Sequence, residues 1–284
     1  MHATRRLHVS SQIARDRTLS LSARRSARGF TLVELVVVIV VLGILSVGTV
    51  RFIRDAGDGY ASSARRAELG SNARLAVERL SRDLRTALPN SVRVSGACVE
   101  YIPIVAAATY QAIPVALSAT SFKASPLTTV GSLSSVRVAV HPDDPSALYG
   151  LSTPGAISPL ATFSVPDASN LITVSLAASH RFAPESAQKR FFVVATPVSY
   201  CVASARLFRY QNYGFTAVQP TVATLPTGLP QRAVVADAMV AGAAPFTYTG
   251  ASENRNAVVK VSFAFGTGGD ALNVDHLVQL RNVP

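Results

Sequence analysis

The stretch that most constrains this chain is Phe30 to Val50, 21 residues that carry a single charge, Glu34. As a helix rising 1.5 Å per residue it spans about 30 Å, one bilayer hydrocarbon core. Val, Ile and Leu occupy every face of that helix, so it needs lipid or the inside of a helical bundle rather than a half-wet surface. Glu34 is the anomaly. A carboxylate inside an apolar span costs on the order of 3 kcal/mol or more, so such residues take partners.

The flanks orient the span. Residues 1–28 hold seven Arg and one Asp, a local charge of +6 in a chain whose formal net charge is +11. Arg-rich, Ser-rich and without apolar periodicity, they read as a disordered arm. Basic residues ahead of the span favour a cytoplasmic N-terminus, although Arg51 and Arg54 lessen the asymmetry. Because half of the excess charge lies in this arm, the high isoelectric point is no argument for nucleic-acid binding.

A basic arm, then Gly29-Phe30-Thr31-Leu32-Val33-Glu34 and an apolar run, resembles the class III signal of type IV pilins and pseudopilins. The resemblance implies cleavage by a prepilin peptidase between Gly29 and Phe30, and N-methylation of Phe30. It also implies a role for Glu34 in subunit assembly, by pairing with the N-terminal amine of a neighbouring subunit. The partners implied are the prepilin peptidase/N-methyltransferase, other pilin or pseudopilin subunits, an inner-membrane assembly platform and membrane lipid. No nucleic acid is expected as a partner. The implied location is the bacterial inner membrane, single-pass, with the globular part in the periplasm or on an extracellular pilus.

Beyond Val50 the pattern predicts that the helix continues to Leu88. Apolar or small residues recur at Ala64, Leu69, Ala73, Ala76, Val77, Leu80, Leu84, Ala87 and Leu88, in steps of three and four that make one stripe. Arginines fill much of the remainder, and Pro89-Asn90 stops the helix. Gly57-Asp58-Gly59 predicts a bend between the two halves, each glycine lowering helix propensity by about 1 kcal/mol. The stripe fits a coiled-coil seam or, better, the face on which a β-domain packs.

From Ser91 the character changes to short Val/Ile/Phe/Tyr runs between Pro, Gly, Ser and Thr. Strands are expected at 91–94, 99–104, 136–141, 171–176, 191–194, 198–203, 205–211, 257–265 and 277–281. One hairpin should turn near Ser204; a second should join 257–265 to 277–281 through a loop around Gly266–Asp270. Residues 105–135 and 142–170 have weak periodicity and read as surface excursions or extra edge strands, with no second domain-sized core. In an oxidising periplasm Cys98 and Cys201 could form a disulfide, or they could be two separate buried thiols.

This half extends the resemblance. The run from Ala73 to Val94, the Cys98 strand, 198–213, Phe246–Gly250 and Val278–Pro284 are similar to MshO proteins, minor pilin-like components of the MSHA pilus system related to J-type pseudopilins. A further Cys expected near Phe246–Thr249 is absent, and 105–170 matches no part of that family.

No catalytic constellation stands out. His141-Pro142-Asp143-Asp144 is turn chemistry without metal-ligand spacing. Ser186-Ala187-Gln188-Lys189 has the Ser-x-x-Lys spacing without its partner motifs. His180 and His276 are isolated. A Ca²⁺ role for the 266–270 loop competes with a plain hairpin. The basic helix face lacks aromatic residues for base stacking.

The expectation is therefore an α+β, non-enzymatic protein with no metal and no cofactor. It comprises a cleaved cytoplasmic leader (1–29), a transmembrane or filament-core helix (30–50), an amphipathic helix (51–88) and an antiparallel β-rich, pilin-like head (89–284). The function expected is that of a minor pilin-like subunit of an MSHA-type pilus. A J-type pseudopilin of type II secretion and an unprocessed, signal-anchored periplasmic binding module are the alternatives.

Overall fold

The computed structural model describes residues 29–128, 133–240, 244–251, 255–267 and 270–280. Residues 1–28 of the expected leader (1–29) and the end of the last expected strand at Arg281 lie outside them. The chain divides into two compact units at Gly57/Asp58.

One helix, α1 (Leu32–Arg85), contributes to both units and is continuous through Gly57, Asp58 and Gly59. In the first unit every residue from Gly29 to Gly57 is exposed. In the second, Leu69, Ala73, Ala76, Leu80 and Leu84 of the predicted stripe are buried, together with Ser81, while Val77 is half-buried and Ala64 exposed. Its alternation of Leu with Ala lets the helix backbone lie close to a sheet while large side chains fill the gaps. The helix ends at Arg85, short of the expected Leu88. Thr86 Oγ1 turns back to donate to the Asp83 carbonyl, and Leu88 N–H donates to the Ile102 carbonyl, while Ile104 N–H donates to Thr86. Residues 86–88 thus pair with a strand-like segment, which competes successfully with another helical turn.

Fifteen strands follow: β1 (Arg93–Ser95), β2 (Cys98–Tyr101), β3 (Ile104–Ala112), β4 (Ala119–Ala124), β5 (Val136–Ala139), β6 (Ile157–Phe163), β7 (Ile172–His180) and β8 (Arg190–Val194), then β9 (Val198–Ala203), β10 (Arg206–Tyr210), β11 (Arg232–Ala236), β12 (Met239–Val240), β13 (Phe246–Thr249), β14 (Val258–Thr267) and β15 (Asp270–Gln279). All strand pairings are antiparallel, and they form three assemblies. One is a five-stranded sheet of order β1-β2-β9-β10-β11; another is the four-stranded group β12-β14-β13 with β15 on the opposite side of β14. The third is a closed six-stranded barrel, β3-β4-β7-β6-β5-β8.

The two sheets share one core with the second half of α1. It contains Leu80, Leu84, Val99, Tyr101, Tyr200, Leu207, Val259, Val261 and Phe263. The expected 204 turn is present: Ala203 opposes Arg206, and Ser204 and Ala205 both have positive φ, 48° and 57°. That conformation suits a two-residue hairpin turn even without glycine. The second hairpin is longer than expected. β14 and β15 pair without interruption from Val258↔Gln279 to Thr267↔Asp270, so 270–276 is strand rather than loop.

The barrel corrects the expectation of a single core. Phe122, Phe182 and Phe191 meet edge-to-face inside it, with centroid separations of 6.1 and 5.7 Å about Phe122. Tyr110, Val136, Val138, Ile172, Val174 and Val193 complete a second buried cluster. Segment 105–135 looks aperiodic because bulges break its ladders at Tyr110/Ala112 and Ala119/Ser121, and the one strand in 142–170, β6, pairs β5 through a register shift opposite Arg137/Ala139. Each bulge shifts the in/out alternation by one residue.

Candidate functional site at the N-terminal segment

The residues singled out in the sequence lie at the start of α1. Gly29 and Phe30 precede the helix and are exposed, Phe30 at 76%. Thr31 caps the helix. Its Oγ1 accepts from Glu34 N–H at 3.2 Å, and its carbonyl accepts from Leu35 N–H at 3.1 Å. Glu34 therefore occupies the first turn, where the helix dipole favours a carboxylate. Sequence reading missed Thr31, although Thr-x-x-Glu ahead of an apolar run is a recognisable capping-box signal.

The remainder of the span is built to lie in an apolar medium. Its mean hydropathy reaches 2.7 over the most apolar window, none of which is buried within the chain. The two hydroxyls in its latter part are satisfied inside the helix: Ser46 Oγ donates to the Leu42 carbonyl at 2.6 Å and Thr49 Oγ1 to that of Leu45 at 2.8 Å. With these bonds made, neither hydroxyl demands water in a hydrocarbon setting. Length and composition suit this helix to crossing a membrane.

Cys98 and Cys201 are bonded. They oppose each other on neighbouring strands β2 and β9, with Cα atoms 4.1 Å apart. The bond lies on the sheet face opposite the helix, with Phe208, Tyr210 and Leu225.

Two polar nodes hold the second unit together. Asp83 Oδ2 accepts from Tyr200 OH at 2.7 Å, Tyr101 OH at 3.1 Å and Arg209 Nε at 3.1 Å. Burial, reinforced by the Asp83 charge, holds both phenols above their usual range. On the other sheet face the fully buried Glu100 bonds Arg93 Nε and accepts from Tyr213 OH at 2.8 Å. Burial raises the Glu100 carboxyl, and Arg93 works against that rise. The Arg93 guanidinium also lies 3.5 Å from the Tyr149 ring centroid. These side chains are consumed by structure.

The other candidates are engaged elsewhere. Asp270 is held by Arg65 and Arg66, each Nε at 3.0 Å, with Ser62 Oγ at 3.3 Å. Those two guanidiniums keep its carboxyl below the usual range. His180 is buried, with Nδ1 3.0 Å from Thr153 Oγ1 and Nε2 3.1 Å from the Gly155 carbonyl. Since a carbonyl can only accept, Nε2 carries the proton and Nδ1 accepts from the hydroxyl. Asp144 accepts from Ser146 N–H and Oγ. Ser186 Oγ accepts from Arg190 N–H, whereas the Lys189 ammonium reaches the Gln111 carbonyl, so these two do not form a nucleophile and base pair. Among the described residues no group of three or more His, Cys, Asp and Glu is placed to hold a metal.

Comparison with known proteins agrees with the N-terminal geometry. Neither the curated proteins nor the solved structures contain a match. Residues 24–50 match the family described as the prokaryotic N-terminal methylation motif, which supports a type IV pilin-like relationship and processing by a prepilin peptidase.

Proposed function

We propose that this chain is a minor pilin-like subunit of an MSHA-type type IV pilus system, cut after Gly29, methylated on Phe30 and then assembled with other pilins. The observation that carries the reading is a methylation motif over residues 24–50 on an exposed apolar helix whose one charge through Val50 is Glu34. The finer pilus assignment draws on the resemblance of the 73–94, 198–213 and 278–284 segments to MshO proteins. A β-rich part with two cores suits a subunit that starts or caps a filament better than one repeated along it.

The physical sequence is short. Cleavage removes the Arg-rich arm and leaves a cationic amine at Phe30. In a bundle of such helices Val, Ile and Leu supply contact area without direction. Glu34 supplies direction, because its carboxylate and a neighbour's amine each remain costly in an apolar medium until they meet. The pair therefore sets the axial register of one subunit against the next.

The test is intact mass and N-terminal sequencing of the membrane-extracted protein with and without prepilin peptidase. The expected product begins at N-methylated Phe30 and forms only with the enzyme. A chain that keeps residues 1–28, or is cut elsewhere, overturns the reading. Glu34→Ala should insert and be cleaved but enter filaments at no more than about a tenth of the normal level. Normal incorporation would remove Glu34 from the assembly step.

A further inference from the structure

A groove of about 1190 Å³ runs beside the second half of α1, entirely within the Asp58–Pro284 unit. Ala73, Val77 and the buried Ser81 line it from the helix; Val274, His276 and Gln279 line it from β15; Arg190 and Phe192 line it from the barrel. Two properties of its walls are independent of each other.

The first is the unpaired edge of β15, the strand whose Val274, His276 and Gln279 line the groove, Gln279 being the edge residue among them. Among the described residues β15 pairs only with β14. Leu280 N–H donates to the Ala257 carbonyl at 2.9 Å, which sets the parity of the ladder. In an antiparallel pair, opposed residues alternate between bonded and non-bonded. With Val258 opposite Gln279, the residues Ala271, Asn273, Asp275, Leu277 and Gln279 turn their N–H and C=O groups away from β14. A ten-residue strand with one edge unpaired among the described residues is a template for another strand.

The second is charge. Arg74, Arg82, Arg85 and Arg190 line the groove against one carboxylate, Glu78. Among the described residues Glu78 pairs with Arg82, at 3.3 Å. A second copy of this chain would set arginines against arginines along the same edge.

We propose that this groove is a docking site for an extended acidic segment of a partner protein, which adds to the free edge of β15 and places its carboxylates among Arg74, Arg82, Arg85 and Arg190. Backbone bonding would supply affinity and the arginines selectivity, as in other strand-addition interfaces. The inference concerns the β-rich unit and does not depend on processing at Gly29.

The test uses the full chain in detergent micelles and a fluorescein-labelled decapeptide of alternating Glu and Val, followed by fluorescence anisotropy. The expected result is saturable binding that weakens at least tenfold in the Arg82→Glu/Arg190→Glu variant. It should weaken comparably when alternate peptide amides are N-methylated, which keeps charge and removes ladder bonds. Arg82 and Arg190 are exposed, so the variant should keep its fold, checked by circular dichroism. No binding, binding indifferent to N-methylation, or binding unchanged by charge reversal would each overturn the proposal. Self-association of the chain that blocks the peptide would overturn it too, by giving the edge to a second copy. Because the unprocessed chain suffices, a negative result here leaves the cleavage reading untouched, and the converse holds.

Discussion

Glu34 has one role that its own helix displays and a second that is proposed for it. Within its own helix it sits three residues after the Thr31 cap, in the turn where a negative charge is favoured. Between subunits it is the proposed register pin. Both rest on consecutive residues: the Gly29–Glu34 motif is legible in them, and the Thr31 cap, though missed, carries a local signal. Asp83 and Glu100 are not legible in that way. Asp83 looks like one acid among helix arginines until β2, β9 and β10 bring Tyr101, Tyr200 and Arg209 onto one of its oxygens. His180 belongs to the same class, because its partners Thr153 and Gly155 arrive from a distant loop. Burial holds its imidazole below the usual range, so the unfolded chain protonates first as pH falls. Its contribution to stability is present above about pH 6.5 and declines as pH drops below that value. Urea unfolding at pH 7.5 and 5.0 should therefore show a larger loss in the wild type than in His180→Gln; equal losses would assign the acid sensitivity elsewhere.

At the scale of elements, the second half of α1 is the clearest case of pattern becoming packing. Leu80 is fully buried in the stripe, whereas Leu75, five residues earlier, is 61% exposed. The same residue type on the same helix thus has opposite environments. Leu80→Ala should cost about 2–5 kcal/mol through lost burial and the cavity left behind. Leu75→Ala should stay within about 0.5 kcal/mol. Denaturant midpoints of the two variants check this, and similar losses would mean that the buried stripe is misplaced. Helix periodicity survives into the structure because every turn of α1 repeats the same geometry. Strand periodicity survives where the ladder is unbroken, as between β14 and β15. It fails in β3 and β4, where each bulge moves the alternation to the other face.

For the whole molecule, the disulfide and the barrel belong to one argument. Cys98 and Cys201 are 103 residues apart in sequence yet oppose each other on adjacent strands. All six barrel strands, from Ile104 to Val194, lie between them. The barrel is thus an insertion between β2 and β9, and the disulfide closes its neck. A loop of that length gives roughly 3–5 kcal/mol in the chain-entropy treatment, so Cys98→Ser/Cys201→Ser should lose about that much stability. Replacing residues 103–196 with a tight turn should leave the helix and the two sheets folded and the disulfide formed, since their core contains no barrel residue. Loss of helical circular dichroism in that deletion would show instead that the barrel supports the rest. The contacts to weigh are those of Leu88 and Ile102, which pack with Ala139, Phe192 and Val194.

What the sequence determined by itself is whatever depends on neighbours along the chain. The apolar span, its single carboxylate, the processing motif, the helical stripe and the turn at Ser204 all rest on spacings of five residues or fewer, or on one continuous run. The tertiary structure decided what depends on residues far apart. It closed the strands between Ile104 and Val194 into a barrel with its own core, surrounded Asp83 and Glu100 with their partners, and set four arginines around a groove that β15 also lines. The physical reason is range. Helix geometry and turn chemistry act over a few bonds, whereas barrel closure, buried polar pairing and a groove lined by several elements exist only after distant segments have met.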